Sequence, residues 1–470
     1  MQPRQGKEYP AAGGSSGPCR FIVRSLAVAL VLQGLILVQC GPDSSTDTGR
    51  SEPRVYAPGG KGWKSTVGPE KILLHLEGSA YEMGYQHGYL LADRLDWVLS
   101  DEFYVTMALE LLEIGLDDLE EVLASPLLRV FLEFLMEMCR NNETFIPAEF
   151  RQEMEGIVDG AREAGYGGVT LDRVLMNNLG FDALLSIGYP LVTPFLPFIK
   201  MPVHACDGFI ARGRATAGGP TLMARSWMMS PVVSKSCVLI ERYPEGGMRI
   251  FDVSLPGFVG VAVGMNDKGI GIGMDMVPSM DCLPGDFGMG TLLTARKALQ
   301  EAAELGEAVR IIERSRRGVS WLYAIGDGLG PEQGGAVVES SAHWCAVRPL
   351  DYRQPSLIPF GWPPQIEDKE DLVVYANHYL VPAMSSSRTY AIEDSLWRYE
   401  TLTGLVLAAY GTIDEQTARG LLDYLHPPSF DYYHGEYLDG VRSLFDLSNL
   451  RSWNLFGRWQ DPWVGHSFAP

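Results

Sequence analysis

Apolar residues recur at three- and four-residue intervals through positions 104–139, and again at Phe150, Met154, Ile157, Val158 and Ala161, which predicts helices that bury one face. Gly165, Gly167 and Gly168 predict the end of the second stretch, and Thr170 predicts a capped start for the next helix. Between positions 187 and 205 the pattern breaks. The stretch IGYPLVTPFLPFIKMPVHA carries four prolines among large apolar residues, and a regular helix is not expected to persist through it. It reads as a packed connection or as an exposed apolar lip. Beyond residue 206 the spacing shortens to alternation. Strands are expected at 208–212, 221–225, 237–243, 249–254, 258–264 and 269–274, with Met265-Asn266-Asp267-Lys268-Gly269 as a hairpin turn. A helix is expected at 291–314, strands at 320–325, 335–339 and 372–375, and helices at about 390–409 and 414–425. Strands, a helix, more strands and then helices suit layered sheets covered by helices.

The first seventy residues follow a different rule. Arg4, Lys7, Arg20 and Arg24 precede a run of thirteen residues, LAVALVLQGLILV at 26–38, which has the length of a signal-peptide core and is short for a membrane span. Leu37, Val38 and Cys40 resemble a lipoprotein cleavage box, with Gln39 where a small residue is usual. Residues 1–40 are therefore expected to be an export segment with a lipid anchor on Cys40, an uncleaved anchor being the rival reading. Residues 41–70, rich in Gly, Ser, Pro and Asp, read as a flexible linker. This predicts an exported protein tethered to a membrane and facing the periplasm or the cell exterior. Residues 71–205 then form a mainly helical part and 206–470 a β-rich part.

With 470 residues, 46% of them hydrophobic, the chain can bury one large core or two ordinary ones. Its 10 Trp, 20 Tyr and 18 Phe exclude disorder over the main body. A formal charge of -20 argues against nucleic-acid binding, which needs Lys and Arg against phosphates. The seven cysteines fall at irregular intervals, with no CxxC pair and no Cys/His cluster at zinc spacing, so neither a disulfide framework nor a metal or other cofactor is expected.

The informative cysteine is Cys206. It is followed by an apparent strand, a Gly-rich turn, a second strand and Arg225. That order suits a chain that cuts itself between Ala205 and Cys206, leaving the cysteine with a free α-amine. Such an amine has an ordinary pKa of about 8, so part of it is neutral near physiological pH and can take the proton of its own thiol. The thiolate then attacks a carbonyl and forms an acyl-enzyme. The oxyanion needs fixed donors, and a nearby arginine can hold negative charge. The bland alternative is a small buried hydrophobe.

Several motifs in order resemble the isopenicillin-N acyltransferase family of N-terminal-nucleophile (Ntn) hydrolases. GSAYEMGYQHGYLLADRL (78–95) is similar to its opening Y-x-x-G-x-x-H-G signature, and EMEGIVDGAREAG with LDRVLMNNLGFD to a second helical motif. ACDGF resembles the cleavage and nucleophile site, PGFVGVAVGMNDKGIGIGMD (256–275) a strand pair, and GGAVVESS a later strand. VVYANHYLVP (373–382) resembles a T-N-H-F motif, and SSSRTYAIEDSLWRYETL an S-x-x-R-Y helix. The resemblance implies an α+β, four-layer αββα sandwich, self-cleavage before Cys206, and hydrolysis or transfer of an acyl group at a non-peptide amide. The implied partner is a small-molecule acyl amide or acyl donor. Cys206 would be nucleophile and base, Asn377 an oxyanion donor, and Arg225 a neighbour of the nucleophile.

The chain departs from the family's G-R-N-x-D strand, because ARSWM places Ser226 where Asn is usual and Met228 where the amine-orienting Asp is usual. Asp207 or Asp275 is the expected compensation. Ala205 replaces the usual Gly before the cut. His378 invites a Cys–His pair but is read as structural, His87 as a helix-packing residue, and His204 as a flank of the cleaved bond. Gly326-Asp327-Gly328-Leu329-Gly330 lacks phosphate-loop spacing and reads as a turn. Two further readings stay open: an Ntn-fold binding lipoprotein that lost its chemistry, and a lipid-ester hydrolase suggested by the apolar stretch 190–202.

Overall fold

The computed structural model describes residues 53–67, 71–111, 119–192, 206–283, 285–330, 333–350, 371–387 and 393–425, together with the backbone of three strands at 440–446, 453–457 and 464–466. The expected export segment, Cys40, His204 and Ala205 lie outside the described residues.

The chain opens on β1 (Val55–Tyr56), β2 (Trp63–Val67) and β3 (Lys71–Gly78). Seven helices follow: α1 (Ala80–Leu90), α2 (Ala92–Val98), α3 (Asp101–Leu111), α4 (Leu119–Ala124), α5 (Pro126–Asn142), α6 (Ala148–Glu163) and α7 (Leu171–Val192). Next come β4 (Cys206–Ala211), β5 (Leu222–Met228), the short α8 (Pro231–Ser236), β6 (Val238–Pro244), β7 (Ile250–Ser254), β8 (Val263–Asn266) and β9 (Ile270–Met276). Helices α9 (Thr291–Glu301) and α10 (Leu305–Arg314) precede β10 (Trp321–Asp327), β11 (Gly334–Ser340), β12 (Cys345–Pro349) and β13 (Leu372–Ala376). The last elements are α11 (Glu393–Ala408), α12 (Glu415–Leu425), β14 (Gly440–Asp446), β15 (Trp453–Gly457) and β16 (Val464–His466).

The strands form two sheets. One runs β1-β2-β3-β6-β7-β8-β9-β10-β11-β12 and the other β13-β4-β5-β14-β15-β16. Pairing is antiparallel apart from β3 with β6. The sheets face each other through β4 and β5 against β9 and through β11 against β13. Alternation sorts the side chains, since successive residues of a strand point to opposite faces. Cys206, Ile210, Met223 and Trp227 join the core shared with Ile272, Met274 and Tyr323. Phe209, Ala211, Leu222 and Ala224 face outward and are covered by Leu402, Val406 and Leu422 of α11 and α12. On the other side, α1 packs on β3 and β6, while α9 and α10 cover β8 to β11. The architecture is α+β, an αββα sandwich, as the resemblance implies.

Helices α1 and α6 carry paired glycines four residues apart, and the close approach requires all four. A Cβ at Gly84 would overlap the carbonyl oxygen of Glu153, and one at Gly88 that of Ile157. Cβ atoms at Gly156 and Gly160 would overlap the carbonyls of Tyr81 and Tyr85 in return. A capping box starts α1, with the Ser79 N–H donating to Glu82 Oε2 at 2.8 Å and the Glu82 N–H donating to Ser79 Oγ at 3.3 Å. The predicted face of α6 is buried at Phe150, Met154, Ile157, Val158 and Ala161. Thr170 caps α7, its hydroxyl oxygen accepting from the Arg173 N–H at 3.4 Å.

Several boundaries differ from expectation for identifiable reasons. Residues 53–67 of the expected linker pair as β1 and β2, and the helical part opens on β3, which enters the large sheet beside β6. Helix α7 continues past Pro190 to Val192, since a proline in a last turn forfeits a single N–H bond. The expected strand at 258–264 begins only at Val263, because residues 256–260 are held as a loop by side chains from α1 and α7. The expected helix at 291–314 is two helices. Asn266 Nδ2 donates to the carbonyls of Leu299 and Ala302 at 2.8 Å each, and Ala302 turns extended at ψ 127°. Strands β12 and β14–β16 had no counterpart in the pattern reading.

Candidate active site

Cys206 is the first residue of β4, and register determines its surroundings. Trp227 of β5 lies opposite it on one side. On the other, β13 ends with Ala376 opposite Asp207, which brings Asn377 level with the cysteine. The Cys206 N–H donates to Asn377 Oδ1 at 2.9 Å. Arg398 of α11 joins both: one guanidinium nitrogen donates to the Cys206 carbonyl at 2.8 Å and to Asp207 Oδ2 at 3.0 Å, the other to Asn377 Oδ1 at 2.8 Å. Asn377 Nδ2 donates one hydrogen to the Met276 carbonyl at 2.8 Å and keeps a second. All of these side chains are buried.

The thiol side is equally built. Arg225 of β5 pairs with Asp275 of β9 at 3.1 Å and donates to the Met274 carbonyl. A Cβ on Gly273 would come 2.7 Å from Arg225 Cδ, so a glycine there leaves room for the guanidinium. Gly208 of β4 allows a different close approach, since a Cβ there would overlap the Ala224 carbonyl and the Tyr375 hydroxyl. Burial pushes the Cys206 thiol up to about 12, opposed by the Arg225 charge and a hydrogen bond from the Met228 backbone. Burial likewise pushes Asp275 up to about 6 against the pull of Arg225. The thiol is therefore protonated beside a guanidinium that would favour its thiolate.

The structure thus gathers Cys206, Arg225, Asn377, Asp207 and Asp275 around one strand end. The two aspartates have different surroundings. Asp275 pairs with Arg225 and acts electrostatically on the thiol, whereas Asp207 pairs with Arg398. Met228, where the family's aspartate would stand, is buried and apolar. The nitrogen that such an aspartate would orient is held instead by the amide oxygen of Asn377. The sequence reading missed Arg398, although it lies in the S-x-x-R-Y stretch at Ser395-Leu396-Trp397-Arg398-Tyr399. It also missed Glu339 of the V-V-E strand, whose carboxylate accepts the backbone N–H groups of Leu380 and Val381.

Other polar motif residues sit elsewhere. His378 bonds Ser395 Oγ at 2.7 Å, stacks edge-on against Tyr399, and is pushed by burial down to about 3, so it is neutral. His87 accepts the Gly257 N–H at 2.9 Å and is likewise neutral, pushed to about 3 by burial and by Arg242. Asn178 accepts from the N–H groups of Val259 and Gly260 at 2.9 and 3.0 Å and donates to the Gly257 carbonyl at 2.9 Å. Asp327 accepts the N–H groups of Leu329 and Gly330, which makes the glycine-rich stretch a turn. Among the described residues, no group of three His, Cys, Asp or Glu side chains could hold a metal ion, and no helix is long and apolar enough to cross a membrane.

No family model matches the chain. It is 49% identical over 409 residues to an uncharacterized protein of Archaeoglobus fulgidus, a stretch covering 86% of this chain; the chain spans 66% of that relative's length. Among solved structures it is similar to a Caenorhabditis elegans N-acylethanolamine-hydrolyzing acid amidase ortholog, with 12% identity and a TM-score of 0.36 over 52% of this chain and 93% of that one. A mutant conjugated bile acid hydrolase from Clostridium perfringens gives 13% and 0.37 over 55% and 92%. Penicillin V acylase from Agrobacterium tumefaciens gives 12% and 0.37 over 55% and 86%. At these scores the likeness adds nothing to what the chain's own geometry carries.

Proposed function

We propose that this chain is a self-maturing cysteine amidase or acyltransferase of the Ntn hydrolase superfamily, in the manner of the isopenicillin-N acyltransferase family. The carrying observation is the Cys206 nitrogen. It is held by the side chain of Asn377, with Arg398 on the adjoining carbonyl, and this prepares a fixed seat for an α-amine. In the first reaction Sγ attacks the Ala205 carbonyl, the peptide bond becomes a thioester, and water releases the upstream chain with a free Cys206 amine. In the second, that amine accepts the thiol proton, the thiolate attacks a substrate amide, and Arg225 stabilises the anionic sulfur. The remaining hydrogen of Asn377 Nδ2 serves the tetrahedral oxyanion. The proton on the amine passes to the leaving nitrogen, and water or an acceptor amine takes the acyl group. Asp275, within the field of the thiol, tunes this charge balance.

The substrate in this reading is a small acyl amide or acyl donor, with no metal or cofactor required by the steps. Export, attachment to a membrane through Cys40, and exposure to the periplasm or exterior belong to the same proposal. A panel of amides with a fluorescent amine leaving group and acyl chains of several lengths tests it. Turnover by the unmodified protein that vanishes in Cys206→Ala is expected, and equal turnover in both overturns it. The binding-protein reading draws on two observations, the apolar Met228 and the thiol pushed up to about 12. It predicts that Cys206 is labelled by iodoacetamide no faster than the other buried cysteines, Cys139, Cys237 and Cys282.

A further inference from the structure

Asn377 lies on a turn that leaves β13, where the strand itself no longer constrains it. The turn is bracketed by a buried ion pair of the facing sheet. Three residues before Asn377, the Val374 carbonyl accepts from Arg348 Nη1 at 2.8 Å. Three and four residues after it, the Leu380 N–H reaches both carboxylate oxygens of Glu339 at 3.0 Å and the Val381 N–H reaches Oε2 at 2.9 Å. Glu339 and Arg348 bond each other at 3.2 Å across β11 and β12, and both are fully buried.

We propose that Glu339, with Arg348, is a positioning residue that sets where the Asn377 amide stands relative to Cys206, and thereby governs both self-cleavage and acyl transfer. This rests on the enzyme reading above. A carboxylate accepting two N–H groups of the turn, that of Leu380 shared between both oxygens, fixes the turn against the large sheet, while Asn377 Nδ2 is aimed by the Met276 carbonyl of that same sheet. Shifting the turn moves the amide away from sulfur and oxyanion together, and a misplacement of about 1 Å costs on the order of 100-fold in rate.

The test is Glu339→Gln, which puts an NH2 group among donors, beside Glu339→Asp, which keeps the charge next to Arg348 but withdraws the oxygens. In folded Glu339→Gln, kcat and the rate of the Ala205–Cys206 cut are expected to fall together, by about 10- to 100-fold. KM and iodoacetamide labelling of Cys206 stay near those of the unmodified protein, and Glu339→Asp loses less. A folded variant with unchanged kcat and cleavage overturns the proposal, as does unfolding of both variants, which would make the pair a core support. An unmodified protein that neither cuts nor turns over defeats the enzyme reading instead, whatever Glu339 does.

Discussion

Two buried polar clusters of this molecule differ in composition and in what they hold. One joins His87, Asn177 and Asn178 to the loop at 256–260, and its partners are backbone N–H and carbonyl groups. It is electrically neutral, since burial keeps His87 uncharged. The other joins Arg225, Asp275, Asp207, Asn377 and Arg398 around the nitrogen, carbonyl and sulfur of one residue, Cys206. Burying four ionised groups at one strand end is costly unless the geometry pairs them. The 256–260 loop is held by those neutral amides and also by Arg242 and Arg296, which donate to the Phe258 and Val259 carbonyls at 2.9 and 3.0 Å, so buried charge alone does not separate the clusters. What separates them is the held group: a loop backbone for His87, Asn177 and Asn178, and the nitrogen and carbonyl of Cys206 for Asn377 and Arg398.

The largest expected effect falls on the charged cluster. Arg398→Met should lower turnover by about 100-fold or more, the range for loss of a preorganised electrostatic group, whereas His87→Gln should leave turnover little changed. Steady-state rates on the fluorogenic amide panel check both. Equal losses in the two variants would erase the distinction between the clusters.

The second prediction concerns the seam between the parts before and after Cys206. Glu153 of α6 pairs with Arg242 at 2.8 Å and Arg296 at 3.3 Å, and Arg242 also pairs with Asp252 at 2.8 Å, all fully buried. Glu153→Ala leaves two arginines with one carboxylate between them and should cost about 3–5 kcal/mol in urea unfolding. Next in size, Gly88→Ala drives a methyl group into the Ile157 carbonyl and should cost about 1–3 kcal/mol, read as a lower thermal midpoint with folding retained.

The smallest effect is a pH dependence. The folded pKa of His87, about 3, lies below its unfolded value of about 6.5, so the unfolded chain binds the proton first. Stability from this group is therefore complete above pH 6.5 and is lost as pH falls toward 3. His378, also at about 3, adds a loss of the same sign. Thermal midpoints between pH 7 and pH 4 should fall less steeply in His87→Gln than in the unmodified protein.

These clusters also show what the sequence made legible. Strands β4 to β7, β9 to β11 and β13 follow from alternation, and α6 from its buried face, because burial of one side imposes a period. The nearness of Arg225 and Asn377 to Cys206 was legible from motif residues on strands or strand ends. Arg398 was not, because a helical arginine in an acidic chain reads as surface until the helix is packed on β4. The roles of Gly84, Gly88, Gly156 and Gly160 were hidden for a related reason: a glycine's function lies in the partner backbone, far away in sequence. The break at 302–304 escaped because its cause, Asn266, sits on another hairpin.

The central claim is that Cys206 becomes an N-terminus. Intact-mass analysis of purified protein lacking residues 1–40, beside its Cys206→Ala variant, tests it directly. The account predicts two fragments from the unmodified chain, the second beginning at Cys206, and one uncut chain from the variant. A single uncut chain from both would contradict it and leave the binding protein as the reading of this fold.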